Sequence, residues 1–256
     1  MCYGSLPPKL SPKEKLQLAK DAGLDGVEIP TFETQEQTEQ IAELAAESGI
    51  EIHSVMGGSH WQLPLSSTNE EIRVKGVEGI RHALHVAKWA GAPVVLVVPG
   101  VVTADDSYEA VYDLSQKSVR ELIPTAEELG VTLAVENVWN KFLLSPMEMR
   151  DFIDSFDHQL VQAYFDVGNI LLYGFPHHYV ETLGKRIKKV HIKDFNVGQK
   201  QFVPVLSGDV DFPRFINALK GLGYADYLTA ELPPYPQYPE QLVYDTAAHL
   251  GQIIGS

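Results

Sequence analysis

Four side chains of types that bind metals stand at the ends of apolar runs in the second half of the chain. They are Glu136 in VTLAVE, Asp166 in VQAYFD, His191 in KVHI and Glu231 in YLTAEL. A single carboxylate at a strand end most often caps a helix or accepts hydrogen bonds from loop amides. Three carboxylates that meet around one imidazole are destabilising without a cation, because each loses hydration on burial. This group, called the metal quartet below, therefore predicts a site for one divalent metal ion.

The donor atoms of the metal quartet indicate which ions it binds and what reaction they support. Three carboxylates and one imidazole suit Mn²⁺ or Mg²⁺ best, with Co²⁺ and Zn²⁺ as alternatives. Cys2 is the one cysteine, so neither an intrachain disulfide nor a thiolate cluster can form. An ion with open coordination positions can bind a carbonyl and a neighbouring hydroxyl, and so stabilise the enediolate left when a proton beside the carbonyl is removed. Sugar isomerisation and epimerisation need that step.

One repeated pattern predicts the elements that hold these residues: a short run rich in Val and Ile, a polar loop, an amphipathic helix and a glycine. The runs that predict strands span residues 26–30, 50–55, 94–98, 131–136, 161–166, 189–192 and 227–232, with a stub near 2–4. Helix starts are marked by Ser11 with Pro12 and Glu14, and again by Ser145, Pro146 and Glu148. Helix ends are marked by Gly23, Gly49, Gly91, Gly130 and Gly223.

Seven strands and one stub predict an α/β fold of the (β/α)₈ TIM barrel type, with residues 1–256 as a single domain. No linker or change of composition divides the chain. No GxGxxG loop follows the first strand, where an open doubly wound sheet would want one. Because the carboxyl ends of barrel strands converge on the active site, the metal quartet is expected at that end.

Composition and charge limit the partners of the chain. Hydrophobic residues make up 45% and charged residues 21%, which is typical of a globular protein. The formal net charge of −14 repels phosphate backbones, so no nucleic-acid partner is expected. No run of about 18 apolar residues and no secretory signal is found, which predicts a cytoplasmic protein without a membrane partner. A small molecule is the expected ligand. Aromatic residues in predicted loops either wall its pocket or form a homo-oligomer contact; these are Trp139, Phe142, Phe175 and Tyr235.

The motifs VEN, FDVGN, HIKD and AEL, in this order, resemble the sugar phosphate isomerase/epimerase superfamily of xylose isomerase-like TIM barrels, over nearly the whole chain. The segments GGSHWQLPLSSTNEEIR and HIKDFNVGQKQFVPVLSGDVDF are similar to the L-ribulose-5-phosphate 3-epimerase branch. The resemblance implies that the metal quartet binds one ion and that Glu136 and Glu231 are also the catalytic acid and base. On opposite faces of a ketose they would invert C3 through a cis-enediolate. Returning the proton at C1 or C2 instead gives an aldose–ketose isomerase.

Three positions differ from the 3-epimerases of free ketoses of the tagatose and psicose type. Those enzymes usually carry a His three residues after the metal Asp, a Glu six residues after the metal Glu, and an Arg six residues after the metal His. Asn169, Phe142 and Val197 stand at these places here. The DxGN form that contains Asn169 matches the sugar-phosphate branch. A phosphate on the substrate is therefore implied by the resemblance alone.

Residues in or after the predicted strands are candidates for substrate contact; they are His60, His53, Asn169, Glu28, Trp61 and Lys193. Trp61 and His60 lie in a Gly-rich loop, where an aromatic ring and an imidazole suit a sugar face. His53 lies within a strand and is equally well explained as a satisfied histidine inside the barrel. Glu28 either hydrogen-bonds a distal hydroxyl or caps a loop. Alternation along the strand is expected to turn Lys193 and Asn137 away from the neighbouring ligands, to support them from behind.

Three other functions share parts of this pattern. A lyase of the inosose dehydratase type also removes a proton beside a carbonyl, then expels a hydroxyl, and the metal quartet does not separate it from an epimerase. An apurinic endonuclease-like hydrolase of the same superfamily holds three zinc ions and carries a His where Asn169 stands. That residue and the acidic surface argue against this hydrolase. A metal-free binding protein that kept the fold is not expected to keep an intact metal quartet.

Overall fold

Nine strands alternate with helices in the computed structural model, which describes residues 1–255. They are β1 (Gly26–Pro30), β2 (Glu51–Met56), β3 (Val94–Val97), β4 (Thr132–Glu136), β5 (Val161–Asp166), β6 (Ile187–Ile192), β7 (Asp194–Asn196), β8 (Gln201–Val203) and β9 (Leu228–Ala230). Seven of them form one parallel sheet in the order β1-β2-β3-β4-β5-β6-β9. These seven coincide with the predicted strands.

The predicted stub closes this sheet into a barrel. Cys2 forms a parallel bridge with Glu28 on β1, and its N–H donates to the carbonyl oxygen of Ala230 on β9 at 2.9 Å. The carbonyl oxygen of Met1 accepts a hydrogen bond from the N–H of Glu28 at 3.0 Å. The segment at residues 1–2 therefore occupies the eighth position of the wall. The predicted (β/α)₈ TIM barrel is confirmed.

The helices surround the wall, and their ends follow the predicted capping chemistry. They are α1 (Pro12–Asp21), α2 (Gln35–Ser48), α3 (Glu70–Ala90), α4 (Tyr108–Leu129), α5 (Pro146–Asp154), α6 (Val167–Ile170), α7 (Pro176–Leu183), α8 (Phe212–Leu222) and α9 (Pro239–Ile254). Both predicted capping boxes form, because the hydroxyls of Ser11 and Ser145 accept the N–H of Glu14 and Glu148. Among residues 1–255, no helix is long and apolar enough to cross a membrane.

Two apolar layers lie on the two faces of the barrel wall. The larger one fills the space between strands and helices, where Val27, Ile29 and Phe165 are fully buried. The smaller one lies inside the barrel and consists of Val94, Leu96, Val98, Ala134, Val138 and Tyr164. Since successive side chains of a strand point to opposite faces, β3, β4 and β5 contribute to both layers. Polar side chains of the inner face are thereby directed to the barrel axis.

A β-bulge changes which side chains reach the barrel interior. The pairing register between β1 and β2 shifts by one residue, which leaves His53 as the extra residue. His53 and Ser54 consequently both reach inner-face groups. The His53 Nε2 lies 3.2 Å from the hydroxyl oxygen of Thr229, and the Ser54 hydroxyl lies 3.3 Å from that of Tyr164. Sequence periodicity alone does not indicate this irregularity.

A short antiparallel hairpin of β7 and β8 follows the barrel strand β6. No strand was predicted in this segment. The buried Asp194 carboxylate anchors it by accepting hydrogen bonds from the N–H groups of Phe195, Gly208 and Val210 at 2.9, 2.9 and 3.2 Å. A Cβ at Gly208 would lie 2.3 Å from the Asp194 Oδ1, so only glycine fits there. This packing holds the hairpin against the carboxyl end of the barrel.

Candidate active site

The four residues of the metal quartet meet at the carboxyl end of the barrel. Glu136 ends β4, Asp166 ends β5, His191 is the penultimate residue of β6, and Glu231 directly follows β9. One ligand atom from each lies within 4.8 Å of the others. The His191 Nδ1 is 3.0 Å from Glu136, 3.1 Å from Glu231 and 3.9 Å from Asp166. The sequence therefore identified side chains that the fold does bring together.

The surroundings of the metal quartet fit a divalent cation. The Asp166 Oδ2 is buried and makes no hydrogen bond, and the Lys193 ammonium forms an ion pair with it at 3.1 Å. Three carboxylates and the imidazole nitrogen converge, and oxygen-rich sets of this kind hold hard divalent ions. An ion at this point would add a second positive partner for this oxygen and would offset the charge of the other carboxylates.

Lys193 supplies positive charge beside the metal quartet. Its Nζ lies 2.7 Å from the Glu231 carboxylate and 3.1 Å from that of Asp166. Burial opposes the charge, but Asp166 and Glu231 keep the pKa of Lys193 above its ordinary value. The prediction that Lys193 turns away from the ligands is wrong. It stands two residues after His191, and a separation of two returns a side chain to the same face of a strand.

The two glutamates differ in proton affinity. Burial raises the pKa of Glu136 to about 7, although its hydrogen bond with His191 acts in the opposite direction. Burial also opposes the charge on Glu231, but His191 and Lys193 lower the pKa of Glu231 below its ordinary value. In the metal-free chain the ionised form is therefore favoured more strongly at Glu231 than at Glu136. Such a pair can take a proton at one atom and donate one at another.

Glu28 on β1 lies on the opposite side of the His191 ring from the other carboxylates. Its Oε2 is 2.7 Å from the His191 Nε2 and accepts a hydrogen bond of 2.6 Å from the Tyr164 hydroxyl. Only 1% of Glu28 is exposed. The sulfur of Cys2 is 3.7 Å from the same His191 nitrogen. Sequence analysis offered a substrate hydroxyl or a loop as the partner of Glu28, whereas its Oε2 meets His191 across 163 positions of the chain.

Two clefts open at this end of the barrel, with volumes of about 490 Å³ and 340 Å³. They share four lining residues, which are Met56, Lys193, Phe202 and Glu231. The Phe202 ring stacks on that of Trp139 with centroids 4.8 Å apart. These rings give the mouth an apolar wall beside the charged groups. Phe202 was missed by sequence analysis, because its place over the barrel depends on the hairpin.

The smaller cleft contains four of the predicted substrate contacts, which are His60, Trp61, Asn169 and Lys193. Trp61 is 52% exposed, and its ring meets that of His60 edge-on at 5.0 Å. Burial lowers the pKa of His60, so the neutral ring can donate and accept hydrogen bonds. The side-chain amide of Asn169 donates to the carbonyl oxygen of Asn137, and its N–H donates to the Asp166 Oδ1.

Other candidate residues lie away from both clefts. His53 stacks on Tyr227 with centroids 4.3 Å apart and hydrogen-bonds its neighbours inside the barrel. Phe142 is buried against aromatic residues of the helical layer. Val197 and Phe175 are exposed, and neither they nor Tyr235 line the clefts. A larger cleft of about 710 Å³ lies at the amino-terminal ends of the strands, away from the metal quartet.

The fold and its strand-end ligands place the chain in a known class. A model of the family described as the xylose isomerase-like TIM barrel matches residues 16–252. The chain belongs to this family, which confirms the resemblance seen in its motifs. The match spans the barrel strands from β1 onward and includes all four ligand positions.

Individual relatives add detail to the class. The chain is 28% identical over 222 residues to L-ribulose-5-phosphate 3-epimerase UlaE of Escherichia coli, covering 82% of this chain and 78% of that protein. A solved L-ribulose 3-epimerase is 17% identical, with a TM-score of 0.86 and coverage of 99% and 92%. The IOLI protein with a bound zinc atom is 19% identical, with a TM-score of 0.85 and coverage of 100% and 97%. Because epimerases are isomerases, the prediction of an enzyme of the isomerase class is confirmed.

Proposed function

We propose that this chain is a divalent-metal-dependent sugar epimerase that inverts C3 of a ketose or a ketose phosphate. The observation that carries the proposal is the pair Glu136 and Glu231, which both contact the His191 Nδ1 but have different surroundings, since Glu136 is buried and Glu231 is paired with Lys193. A two-base epimerase needs one ionised carboxylate to take a proton and one carboxyl group to return it. The reactions named for UlaE and for the solved 3-epimerase support the same chemistry.

The metal quartet would hold the ion through the His191 Nδ1 and oxygens of Glu136, Asp166 and Glu231. Bound there, the ion would supply a Lewis acid that polarises the substrate carbonyl. The three carboxylates favour Mn²⁺ or Mg²⁺, and the zinc atom bound by the IOLI protein supports Zn²⁺ as an alternative.

Proton transfer would then use the two glutamates in turn. The ionised Glu231 takes the C3 proton, which leaves a cis-enediolate. Glu136 returns a proton to the opposite face of C3. The roles exchange for the other epimer, because the reaction is reversible. Lys193 can donate a hydrogen bond to the oxygen that gains negative charge, since its ammonium group lines both clefts.

The substrate would lie between the metal quartet and the aromatic wall of the mouth. We take His60, Trp61, Asn169 and Lys193 as its contacts, because all four line the smaller cleft. The exposed face of Trp61 suits the apolar C–H face of a sugar. A small sugar as the partner, one domain over residues 1–256 and a cytoplasmic location belong to this proposal. The homo-oligomer contact stays a prediction.

Hydrogen–deuterium exchange tests the proposed reaction. The Mg²⁺-loaded protein is incubated in D₂O with ketoses, ketose phosphates and inososes, and proton NMR follows the signals beside each carbonyl. We expect deuterium at C3 of one ketose or ketose phosphate, together with appearance of its C3 epimer. Diamagnetic Mg²⁺ is used because Mn²⁺ would broaden the signals. A heat-denatured sample measures the uncatalysed exchange.

The products separate the proposal from its alternatives. Deuterium at C1 or C2 with an aldose product would identify an aldose–ketose isomerase. Loss of water from an inosose would identify the dehydratase type of lyase. No exchange with any compound in the panel would contradict proton abstraction beside a carbonyl, and with it the proposed function.

A further inference from the structure

We propose that Glu28 is a positioning residue for metal binding: its carboxylate keeps the hydrogen of the His191 ring on Nε2 and leaves Nδ1 free to bind the ion. The proposal rests on the metal-dependent function proposed above. The role concerns the Glu28 Oε2, whereas Oε1 makes no hydrogen bond and Glu28 also lines the cleft of about 490 Å³.

The two nitrogens of the His191 ring face different groups. Nδ1 faces Glu136 at 3.0 Å, Glu231 at 3.1 Å and Asp166 at 3.9 Å, whereas Nε2 faces Glu28 at 2.7 Å. A neutral imidazole carries one ring hydrogen, and only the other nitrogen can bind a metal. An ionised carboxylate accepts hydrogen bonds and cannot donate them. With Nδ1 bound to the ion, the ring hydrogen therefore points to Glu28.

Glu28 is itself held rigidly within the barrel. Its backbone N–H donates to Met1 as part of the closure beside β1. The Tyr164 hydroxyl donates to the same Oε2 at 2.6 Å, and the Ser54 hydroxyl lies 3.3 Å from that of Tyr164. A carboxylate fixed in this way restricts the rotation of the imidazole and increases the basicity of its other nitrogen. Both effects favour a metal at Nδ1.

The environment of Glu28 also argues against direct substrate binding by its Oε2. That oxygen already has His191, Tyr164 and, at 3.9 Å, the Cys2 thiol as partners, and the residue is 1% exposed. A substrate hydroxyl would have to displace one of them. The Tyr164 ring lies 4.4 Å from that of His191, so it packs on the imidazole as well as bonding its partner. Glu28, Tyr164 and His191 thus form one packed unit beneath the metal quartet.

Metal affinity without substrate tests the positioning role. Mn²⁺ is titrated by calorimetry into the chelator-treated full chain and into Glu28→Gln. Glutamine keeps the size of the side chain, but its NH₂ can donate to Nε2 and so favour the hydrogen on Nδ1, which blocks the ion. We expect affinity for Mn²⁺ to fall by about 10-fold to 100-fold, as found when carboxylate partners of ligand histidines are removed.

Two further variants test whether the loss of Mn²⁺ affinity comes from the lost contact with His191 or from removal of any carboxylate that accepts a tyrosine hydrogen bond. Glu148→Gln is the control, because Glu148 also accepts a hydrogen bond from a tyrosine hydroxyl, that of Tyr108, but does not contact the metal quartet. We expect it to bind Mn²⁺ like the unchanged protein. Tyr164→Phe keeps the Glu28 carboxylate and removes one of its donors, so a smaller loss than in Glu28→Gln is expected.

Long-range ¹H–¹⁵N NMR of the unchanged, Zn²⁺-loaded protein gives a second readout that does not need the variant to fold. We expect a hydrogen on the His191 Nε2 and none on Nδ1. A hydrogen on Nδ1, or equal Mn²⁺ affinity in a folded Glu28→Gln, would overturn the positioning role while leaving the metal site intact. Failure of the unchanged protein to bind either ion would instead refute the metal-dependent function on which the inference rests.

Discussion

Glu136 and Glu231 are the same residue type and both contact His191, yet their surroundings differ. Glu136 is 6% exposed, and burial dominates the rise of its pKa to about 7. The side chain of Glu231 is 31% exposed and bonds the Lys193 ammonium, which favours its ionised form. Environment can therefore separate two identical side chains into an acid and a base. The consequences can be tested one residue at a time.

Replacement of either Glu136 or Glu231 by glutamine is expected to abolish turnover. Glu136→Gln and Glu231→Gln each remove a proton acceptor, and loss of a general acid or base typically lowers a rate by about 10²-fold to 10⁴-fold. The measurement is C3 deuterium exchange with the substrate that the D₂O screen identifies, at saturating Mg²⁺. Glu148→Gln should retain the rate of the unchanged protein. An active Glu136→Gln or Glu231→Gln would show that this glutamate is not an essential acid or base.

The raised pKa of Glu136 predicts a pH-dependent stability of the metal-free chain. The pKa of Glu136 in the folded chain lies above the ordinary value of 4.5. The contribution of Glu136 to the free energy of unfolding is therefore fully present below about pH 4.5 and is lost as pH rises through about 7. Glutamine at position 136 does not ionise, so the Glu136→Gln variant lacks this pH-dependent contribution. We therefore expect the free energy of unfolding of Glu136→Gln, relative to the unchanged chain, to increase across that range. Urea unfolding with chelator at several pH values measures it, and a constant difference would contradict the raised pKa.

At the scale of elements, strand ends and the hairpin have different tasks. The carboxyl ends of β4, β5 and β6 carry Glu136, Asp166 and His191, and Asp166 pairs directly with His191 in the sheet register. The β7–β8 hairpin contributes no ligand but carries Phe202 to the mouth, where it stacks on Trp139. Lys193, which joins β6 to the hairpin, lies 5.5 Å from the Phe202 ring. The hairpin therefore shapes the clefts while the barrel holds the reacting groups.

Removal of the Phe202 ring is expected to weaken substrate binding without changing the chemistry. A lost aromatic contact of about 1.4 kcal/mol corresponds to a tenfold increase in KM. Since the Phe202 ring can neither transfer a proton nor bind the ion, kcat and Mn²⁺ affinity should change little in Phe202→Ala. Steady-state kinetics and calorimetry measure these quantities. Gln201→Ala, an exposed neighbour on β8, is the control. A fall in kcat with unchanged KM would show that the ring acts in catalysis rather than binding.

At the scale of the molecule, the metal quartet joins distant parts of the chain. Its ligands come from three strands and the segment after β9, while Met1 and Cys2 close the wall between β9 and β1. An ion bound by the folded barrel, and not by the unfolded chain, stabilises the folded state by mass action. The barrel and its site should therefore unfold together.

Metal is expected to raise the melting temperature of the whole barrel. When the concentration of the free ion is about 100 times its dissociation constant, binding adds about 2.7 kcal/mol to the free energy of unfolding. For a chain of this size, each kcal/mol raises the melting temperature by about 2–4 °C, so we expect a rise of roughly 5–10 °C. Differential scanning calorimetry of chelator-treated protein with and without Mn²⁺ measures the rise. Asp166→Asn, which weakens one ligand, should reduce it, whereas Glu148→Gln should keep it. An unchanged melting temperature at saturating Mn²⁺ would contradict a site confined to the folded state.

Much of the fold and the metal quartet could be predicted because their signals are local. Each barrel strand is a short apolar run, and the stub at Cys2 was recognised although it pairs through single hydrogen bonds. Glu136, Asp166, His191 and Glu231 were found from their positions at the ends of such runs. Barrel geometry brings strand ends together, so local position was sufficient to place the four residues at one site.

The tertiary structure decided the features that depend on contacts between distant residues. Glu28 meets His191 across 163 positions, and the bulge at His53 depends on pairing with β1. The same holds for Phe202, which reaches the mouth only because Asp194 anchors the hairpin. Sequence alone therefore determined the barrel and the four residues of the metal quartet. Only the packed structure determined which groups hold His191 and which protonation states the two glutamates adopt, because burial and long-range pairing set both.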